Sequence, residues 1–252
     1  MTTDLRSAAE TAAYWREQHH GGNVPDYEEV LSDGYHRFLK AGDTVIDIGV
    51  NHGVHYRRYL AITGPTGRVI GFEPVPVFVG IARDLCGPDV EIRQKALSDK
   101  PGQAEFLFMS KAHGESGFKE RTSPGDRGAE KIQVTISTLD AELADLPRLD
   151  YIKIDTEGHE ISILKGGTEV IRKHRPIVSV EYGEPTYSLY GHQARSMFDL
   201  AASLDYKISD LFGNVVKDLA EWLTVCDTSY WDFYLVPSER AAGWRAEVSG
   251  EA

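Results

Sequence analysis

The feature of this sequence that most limits its fold is a series of short apolar runs, each ending at a polar or glycine-containing turn. The runs are rich in β-branched residues, and five occur in order: DTVIDIGVN, GRVIGFEP, VEIRQKALSD, LDYIKID and PIVSVEY. Segments with helical periodicity, such as HYRRYLAIT and VFVGIARDL, follow the first two runs. Strands that alternate with helices indicate βαβ units, so the sequence predicts an α/β fold with a central parallel sheet.

The length of the chain limits how many domains it forms. A chain of 252 residues suits one large α/β domain, which we place at residues 41–240. Helical patterns at residues 5–18 and 27–39 predict an N-terminal helical cap over residues 1–40. Residues 241–252 have the composition of a loose C-terminal tail.

Two regions break the simple alternation of strand and helix. Residues 104–109 and 131–137 predict strands joined by a Gly-, Ser- and charge-rich connection, which indicates an inserted excursion. Near the end of the chain, DYKISDL, VVKDL and YWDFYLVP predict three strands, with no strong helix before the last one. We therefore expect a terminal antiparallel hairpin at the edge of the sheet.

Composition and charge exclude several classes of protein. The formal net charge of −12 opposes binding to a phosphate backbone, so we expect no nucleic acid partner. Two cysteines, Cys86 and Cys226, make a disulfide scaffold or a zinc site improbable, and no run of eighteen apolar residues suggests a membrane span. We expect a cytoplasmic protein that acts on a small molecule, and the sequence leaves association with further copies of itself open.

Polar residues follow the predicted strands at the points where each strand ends. In an open parallel sheet, ligands bind beyond the carboxyl ends of the strands. Charged surface turns are the alternative explanation for any one of these residues, but five successive strands ending this way favour a ligand cleft. The residues are Asp47, Gly49, Glu73, Ser98, Asp99, Asp155 and Glu181.

The loop after the first strand indicates the type of cofactor. Its glycines, Gly49 and Gly53, allow the backbone to approach a ligand closely, but the spacing is not the dinucleotide fingerprint GxGxxG. Glu73 ends the second strand, where a carboxylate accepts the hydroxyl hydrogens of a ribose. Asp47 would repel a pyrophosphate but suits a sulfonium and an ammonium group, which favours S-adenosylmethionine. The predicted cofactor-binding residues are Asp47, Gly49, Asn51, Gly53, Glu73, Pro74, Ala96, Leu97, Ser98 and Asp155.

These motifs also carry a family resemblance. VIDIGVNHG, GFEP, KALSD, ISTLDAEL, LDYIKIDTEGHEISILKGG, RPIVSVEY and the final DFYLVP resemble the FkbM family of class I S-adenosylmethionine-dependent methyltransferases. The resemblance implies a Rossmann-like fold, with a mostly parallel seven-stranded sheet, an antiparallel last strand and helices on both faces. It also implies O-methylation of sugars or other secondary metabolites, as in natural product biosynthesis.

The strand-four motif KIDTEGHE supplies the predicted catalytic residues. Methyl transfer to a hydroxyl needs alignment with the sulfonium methyl group and removal of the hydroxyl proton. His159 has an ordinary pKa near working pH and is the predicted base, with a solvent-facing histidine at a helix start as the alternative. Asp155 is the second predicted catalytic residue, and Glu160 is predicted to cap the helix that follows.

The neighbouring residues raise the question of a metal ion and an acceptor site. Asp155 and Glu181 are the predicted ligands of a possible Mg²⁺ ion, which favours carboxylate oxygens. The resemblance implies a second oxygen ligand after Glu181, but a poor ligand, Tyr182, stands there. Glu181, Tyr182 and Tyr187 are the predicted substrate-binding residues. Two other functions stay open at this point: a nicotinamide-dependent oxidoreductase and a non-catalytic module that binds an adenosine ligand.

Overall fold

The computed structural model describes residues 7–120 and 125–250, and alternating strands and helices make up most of them. The strands are β1 (Thr44–Ile48), β2 (Arg68–Phe72), β3 (Ile92–Arg93), β4 (Ala96–Leu97), β5 (Gly102–Met109), β6 (Ala129–Ser137), β7 (Tyr151–Ile154), β8 (Ile177–Glu181), β9 (Tyr206–Asp210) and β10 (Asp232–Pro237). The helices are α1 (Ala8–His20), α2 (Tyr27–Phe38), α3 (Val54–Thr63), α4 (Pro76–Cys86), α5 (Leu139–Leu143), α6 (Glu160–Lys165), α7 (Thr168–His174), α8 (Glu184–Tyr187), α9 (Ala194–Ser203), α10 (Leu219–Val225) and α11 (Trp244–Ser249).

A seven-stranded sheet forms the centre of the molecule, in the order β3-β2-β1-β7-β8-β10-β9. The pairs that join β3, β2, β1, β7 and β8 are parallel, whereas β10 runs antiparallel to both of its neighbours. The strand order reverses at β1, so the loops after β1 and β7 open a crevice at the carboxyl ends of these strands. The expected antiparallel last strand is confirmed.

The buried strands explain why the sheet lies at the centre. Every residue of β1 and β7 is buried, as expected for strands covered on both faces. Ile46 and Ile152 face one apolar cluster, and Val45 and Tyr151 face another on the opposite side of the sheet. Polar side chains are tolerated inside the sheet only where a partner or a ligand compensates for their burial, which makes Asp47 and Lys153 notable.

A smaller three-stranded sheet, in the order β4-β6-β5, lies beside the main one. The long β5–β6 pair confirms the two strands predicted at residues 104–109 and 131–137, and it packs on α4 through a third apolar cluster that includes Phe78, Phe106 and Val134. The predicted third strand is divided, because β3 joins the main sheet and β4 joins the small one. This small sheet forms one side of the crevice.

The N-terminal helices pack onto the main sheet. A capping box between Ser7 and Glu10 starts α1, and the Asp26 side chain caps α2 by accepting backbone N–H groups. Ala8 and Ala12 of α1 lie in the same buried cluster as the sheet residues. The predicted helix at 27–39 is confirmed, whereas residues 5 and 6 of the predicted first helix lie outside the described residues.

The prediction for the end of the chain was wrong in two respects. Helix α10 lies between β9 and β10, so these strands pair without forming a tight hairpin, and Val215 of the expected middle strand makes only an isolated bridge. The expected loose tail contains α11, where Trp244 is fully buried and donates Nε1–H to Ser209. Burying such a large aromatic surface fixes this segment to the sheet.

None of the helices within residues 7–120 and 125–250 is both long and apolar enough to span a membrane.

Candidate active site

A cleft of about 330 Å³ opens at the carboxyl ends of β1, β2, β7 and β8. Its apolar part is formed by Phe72, Phe78, Phe106 and Phe118, contributed by β2, α4, β5 and the β5–β6 connection. A second pocket of about 290 Å³ adjoins it beside α3. Four residues line both spaces: Glu28, Gly49, Asn51 and Asp155.

The loop after β1 brings the backbone close to the cleft. Gly49 has a φ of +86°, and a Cβ atom there would lie 2.0 Å from the carbonyl oxygen of Asp155. Asn51 also has a positive φ of 50°. Both residues line the cleft, whereas Gly53 starts α3 and packs against Ala82 of α4. Of the two glycines in the predicted loop, Gly49 therefore faces the ligand space and Gly53 does not.

Glu73 lies at the end of β2 with both carboxylate oxygens accepting backbone hydrogen bonds. Asn51 N and Val75 N each donate to it at 2.9 Å. Burial raises the pKa of Glu73 to about 7, although these two bonds favour the ionised form. Each oxygen can accept a further hydrogen bond and Glu73 lines the cleft, which fits a carboxylate that accepts two ribose hydroxyl hydrogens. Pro74, Ala96 and Leu97, which are also predicted to bind the cofactor, line the cleft.

Asp47 is the most unusual polar residue of the site. It lies on β1 with a side chain that is 1% exposed, and neither carboxylate oxygen accepts a hydrogen bond from any described residue. Burial raises the pKa of Asp47 to about 7. The residue lines the second pocket, so its free acceptors fit a ligand that brings its own N–H donors, such as the ammonium group of S-adenosylmethionine.

A buried lysine that sequence reasoning missed compensates part of this charge. Lys153 pairs with Asp47 in the parallel register of β1 and β7, and its Nζ lies 2.8 Å from Oδ2 of Asp155. Burial alone would raise the pKa of Asp155, but the charge and hydrogen bond of Lys153 hold it below its usual range. Among the buried residues in the described ranges, Lys153 is the only lysine or arginine. Asp155 is therefore an ionised residue on the floor of the cleft.

Carboxylates line the side of the cleft next to β8 and β10. We call these five residues the acidic wall: Glu28, Asp155, Glu157, Glu181 and Asp232. Oxygens of Asp155, Glu157 and Glu181 come within 4.8 Å of one another. Asp232 starts β10 directly opposite Glu181 in the antiparallel register. Sequence reasoning missed Glu28 and Asp232, since neither lies at the carboxyl end of a parallel strand.

We predicted that Glu160 caps the helix after KIDTEGHE, but in the structure its side chain stabilises the turn before that helix. Glu160 is completely buried, and its Oε1 accepts hydrogen bonds from Thr156 N, Thr156 Oγ1 and Gly158 N. It thus fixes the turn before α6 rather than binding the first N–H groups of the helix. Gly158 has a φ of +101° and lies against the backbone of Thr186, which leaves no room for a side chain.

The structure places His159 behind the cleft lining. Its Nε2 forms a 2.9 Å hydrogen bond with Ser98 Oγ, and its ring lies between Phe118 and Tyr190. Burial lowers the pKa of His159 to about 4, which makes the imidazole a weak base. Neither His159 nor Ser98 is among the residues that line the two spaces. The prediction of a catalytic His159 therefore lacks geometric support.

Two of the predicted substrate-binding residues pack into the core. Tyr182 and Tyr187 stack on each other with ring centroids 4.6 Å apart. Their hydroxyl groups donate to the Gln193 carbonyl and to Asp227, respectively. Burial and these bonds orient both rings away from the cleft, which leaves Glu181 as the member of that predicted group that lines it.

Comparison with known proteins shows the family of this chain. A model of the methyltransferase FkbM domain matches residues 47–208, more than half of the chain. The methyltransferase sdnD of Sordaria araneosa is 24% identical over 230 residues, covering 78% of this chain and 84% of that protein. The 2-O-methyltransferase NoeI of Sinorhizobium fredii is 28% identical over 186 residues, covering 66% of this chain and 74% of that protein.

A solved structure supports the fold. The crystal structure of an FkbM methyltransferase from Methylobacillus flagellatus superposes with a TM-score of 0.50 at 16% identity, over 92% of this chain. This chain spans only 55% of the length of that protein. The matched segment includes the glycine loop, Glu73 and the whole KIDTEGHE turn. The chain therefore belongs to the FkbM family of class I S-adenosylmethionine-dependent methyltransferases.

Proposed function

We propose that this enzyme transfers the methyl group of S-adenosylmethionine to a hydroxyl group of a small molecule, a saccharide or glycosylated metabolite. The observation that carries the proposal is a pair of adjoining spaces, one lined by Glu73 and the other by Asp47, which share Glu28 and Asp155 of the acidic wall. The relative NoeI is described as a 2-O-methyltransferase, which supports oxygen as the acceptor atom. A wall of carboxylates suits an acceptor with several hydroxyl donors.

We propose that the two ends of the cofactor lie in different spaces. The ribose hydroxyls fit Glu73, and the adenine fits the apolar part of the cleft around Phe78 and Phe106. The ammonium group fits the free oxygens of Asp47 in the second pocket. The sulfonium centre would then lie near Asp155, where a negative charge favours it.

Charge supports a small acceptor over a nucleic acid. The chain has a formal net charge of −12, and the cleft adds the five carboxylates of the acidic wall. A phosphate backbone would be repelled at this surface. The same argument disfavours the nicotinamide dinucleotide alternative, since Asp47 beside the glycine loop would face its pyrophosphate.

The acidic wall also contains residues that could hold a Mg²⁺ ion. Asp155, Glu157 and Glu181 supply a set of hard oxygen ligands, and an ion held there would acidify a bound hydroxyl group. Lys153 already occupies Oδ2 of Asp155, and the Tyr182 hydroxyl is turned into the core. We therefore propose that these residues bind the acceptor and the sulfonium group without a required metal.

Chelation separates the two cases. Because Lys153 supplies the positive charge beside Asp155, turnover with excess EDTA is expected to stay within about twofold of the untreated rate. Rates are measured as S-adenosylhomocysteine release, before and after adding MgCl₂ to the chelated enzyme. A loss of activity that Mg²⁺ restores would contradict the proposal and support the metal site of the acidic wall.

A panel of acceptors tests the function itself. S-Adenosylhomocysteine release is measured with the methyl glycosides of glucose, mannose, galactose, glucosamine and glucuronic acid, together with a phenol and a primary amine. We expect release above the acceptor-free rate with at least one glycoside. Release only with the amine would contradict O-methylation, and thermal stabilisation by NAD without stabilisation by S-adenosylmethionine would contradict the assigned cofactor.

A further inference from the structure

Asp232 occupies a distinctive position in the acidic wall. It is the first residue of β10, the strand that runs antiparallel to the rest of the sheet. The N-terminal end of β10 therefore lies at the same edge of the sheet as the carboxyl ends of β7 and β8. In this register Asp232 faces Glu181 across the strand pair, and both side chains line the cleft with Asp155.

Asp232 differs from the other carboxylates of the cleft in its lack of partners. Glu73 accepts two backbone N–H groups, Asp155 pairs with Lys153, and Glu28 is hydrogen-bonded to His55. No residue in the described ranges donates a hydrogen bond or forms a salt bridge to the Asp232 side chain. Such a carboxylate keeps its lone pairs free for a ligand.

We propose that Asp232 is the general base that removes the proton from the acceptor hydroxyl group, an inference that rests on the proposed O-methyl transfer. The acceptor oxygen forms a bond to the methyl carbon as the carbon–sulfur bond breaks. The bonding electron pair stays on sulfur, which becomes the neutral thioether of S-adenosylhomocysteine. The hydroxyl proton moves to the Asp232 carboxylate and is released to solvent afterwards, so that atoms and charge balance.

The groups around Asp232 support this role. Burial, together with the charges of Glu28 on α2 and Asp155 on β7, raises the pKa of Asp232 to about 8, whereas Lys153 on β7 opposes this shift. Glu181 lies opposite Asp232 on β8, and the charge of Asp232 in turn raises the pKa of Tyr234 on the same strand. A base with a pKa near working pH is effective, whereas Asp155, with its pKa held low by Lys153, is a poor one.

This assignment gives a direction for the pH dependence. Asp232 acts as a base only when ionised, so kcat rises with pH and levels off once the group has lost its proton. The positive sulfonium group of the bound cofactor lowers the pKa of a nearby carboxylic acid, so the midpoint in kcat falls below that of the free enzyme.

The experiment compares Asp232→Asn, Asp232→Glu and the control Asp199→Asn, which removes a carboxylate from the exposed part of α9. With the best glycoside of the panel, we expect Asp232→Asn to lower kcat about 100-fold, with the Kd for S-adenosylmethionine within about threefold of wild type. Asp232→Glu should have a higher kcat than Asp232→Asn and should keep the rise of kcat with pH. With an acidic phenol as the acceptor, the difference in kcat between wild type and Asp232→Asn should be smaller, because such a hydroxyl group ionises without a base.

A second measurement does not depend on the acceptor. The carboxyl ¹³C signals of labelled aspartate are followed with pH, and the Asp232 signal is identified by its absence in Asp232→Asn. We expect a midpoint above about 6 in the free enzyme. If wild type methylates a glycoside but Asp232→Asn keeps more than a third of kcat, or the midpoint lies below about 5, the base is another group. If wild type methylates no hydroxyl acceptor, the proposed function itself fails.

Discussion

Replacing Asp47 with asparagine is expected to weaken S-adenosylmethionine binding about 100-fold without lowering the free energy of unfolding at pH 8. The free oxygens of Asp47 are the charged acceptors assigned to the ligand ammonium group, and losing a buried charge-assisted contact costs about 2 to 5 kcal/mol. In the ligand-free protein, however, ionised Asp47 is a cost, because it is 1% exposed and lacks donors among the described residues. Calorimetric titration and urea unfolding measure the two effects.

The pH dependence of Asp47 has a definite sign. Its pKa in the folded protein is about 7 instead of the usual 3.8, so the folded protein holds a proton that the unfolded chain loses. The contribution of Asp47 to the free energy of unfolding therefore falls as pH rises from about 4 to 7. Cofactor binding needs the ionised form, so affinity should increase from pH 6 to pH 8 in wild type and less so in Asp47→Asn.

Asp43→Asn is the matched control for the Asp47 variant. Asp43 is a buried aspartate four residues earlier, but it accepts a hydrogen bond from Lys40 N and pairs with Arg148. We expect this variant to lose about 1 to 3 kcal/mol of stability and to keep the wild-type cofactor affinity. If instead Asp47→Asn binds S-adenosylmethionine as wild type does, the ammonium group lies elsewhere.

Replacing Lys153 with methionine is expected to cost about 3 to 5 kcal/mol of stability at pH 8, the largest loss among the variants considered. The change leaves the half-buried Asp155 and the buried Asp47 without the positive charge of Lys153, and leaving a buried carboxylate without a compensating charge is strongly destabilising. Lowering the pH to 6 should recover part of the loss, because the carboxylates can then take up protons. Urea unfolding at both pH values gives the comparison.

Two further variants identify the cause of that loss. Lys165→Met removes an exposed lysine at the end of α6 and should change stability by less than about 0.5 kcal/mol. The double variant Lys153→Met/Asp155→Leu removes both charges of the pair and should be more stable than Lys153→Met alone. Equal stability of these two variants would show that Lys153 acts through packing rather than through charge.

The strands, and the polar residues that meet at one edge of the sheet, could be predicted from the sequence because local patterns specify them. A β-branched run that stops at a glycine or a carboxylate predicts both a strand and the edge where it ends, and Asp47, Glu73 and Asp155 follow this rule. Parallel strands bring their carboxyl ends together, so one pattern places all three residues.

The acceptor half could not be predicted in this way. Asp232 is the first residue of an antiparallel strand, and its position at the cleft depends on the pairing of β10 with β8, which no local pattern reveals. Lys153 lies inside an apolar run, where the sequence gives no sign that its ammonium group stays buried. His159 was predicted from its ordinary pKa, which burial between Phe118 and Tyr190 changes.

The structure of the C-terminal segment could not be predicted for a different reason. GWRAEVSGEA is short and polar enough to suggest a tail, but a single side chain decides its structure. Trp244 is buried against Phe38 and Tyr234. Burying a ring of that size stabilises the docked segment by more than its polar residues destabilise it.

The most direct test of the account follows the transferred carbon. The enzyme is incubated with S-adenosylmethionine labelled with ¹³C in its methyl group and with the best glycoside of the panel, and the product is analysed by NMR. The account predicts a labelled methoxy signal on the sugar, lost in Glu73→Ala and strongly reduced in Asp232→Asn. A labelled methyl group on nitrogen or carbon, or a methoxy product formed equally well by both variants, would contradict it.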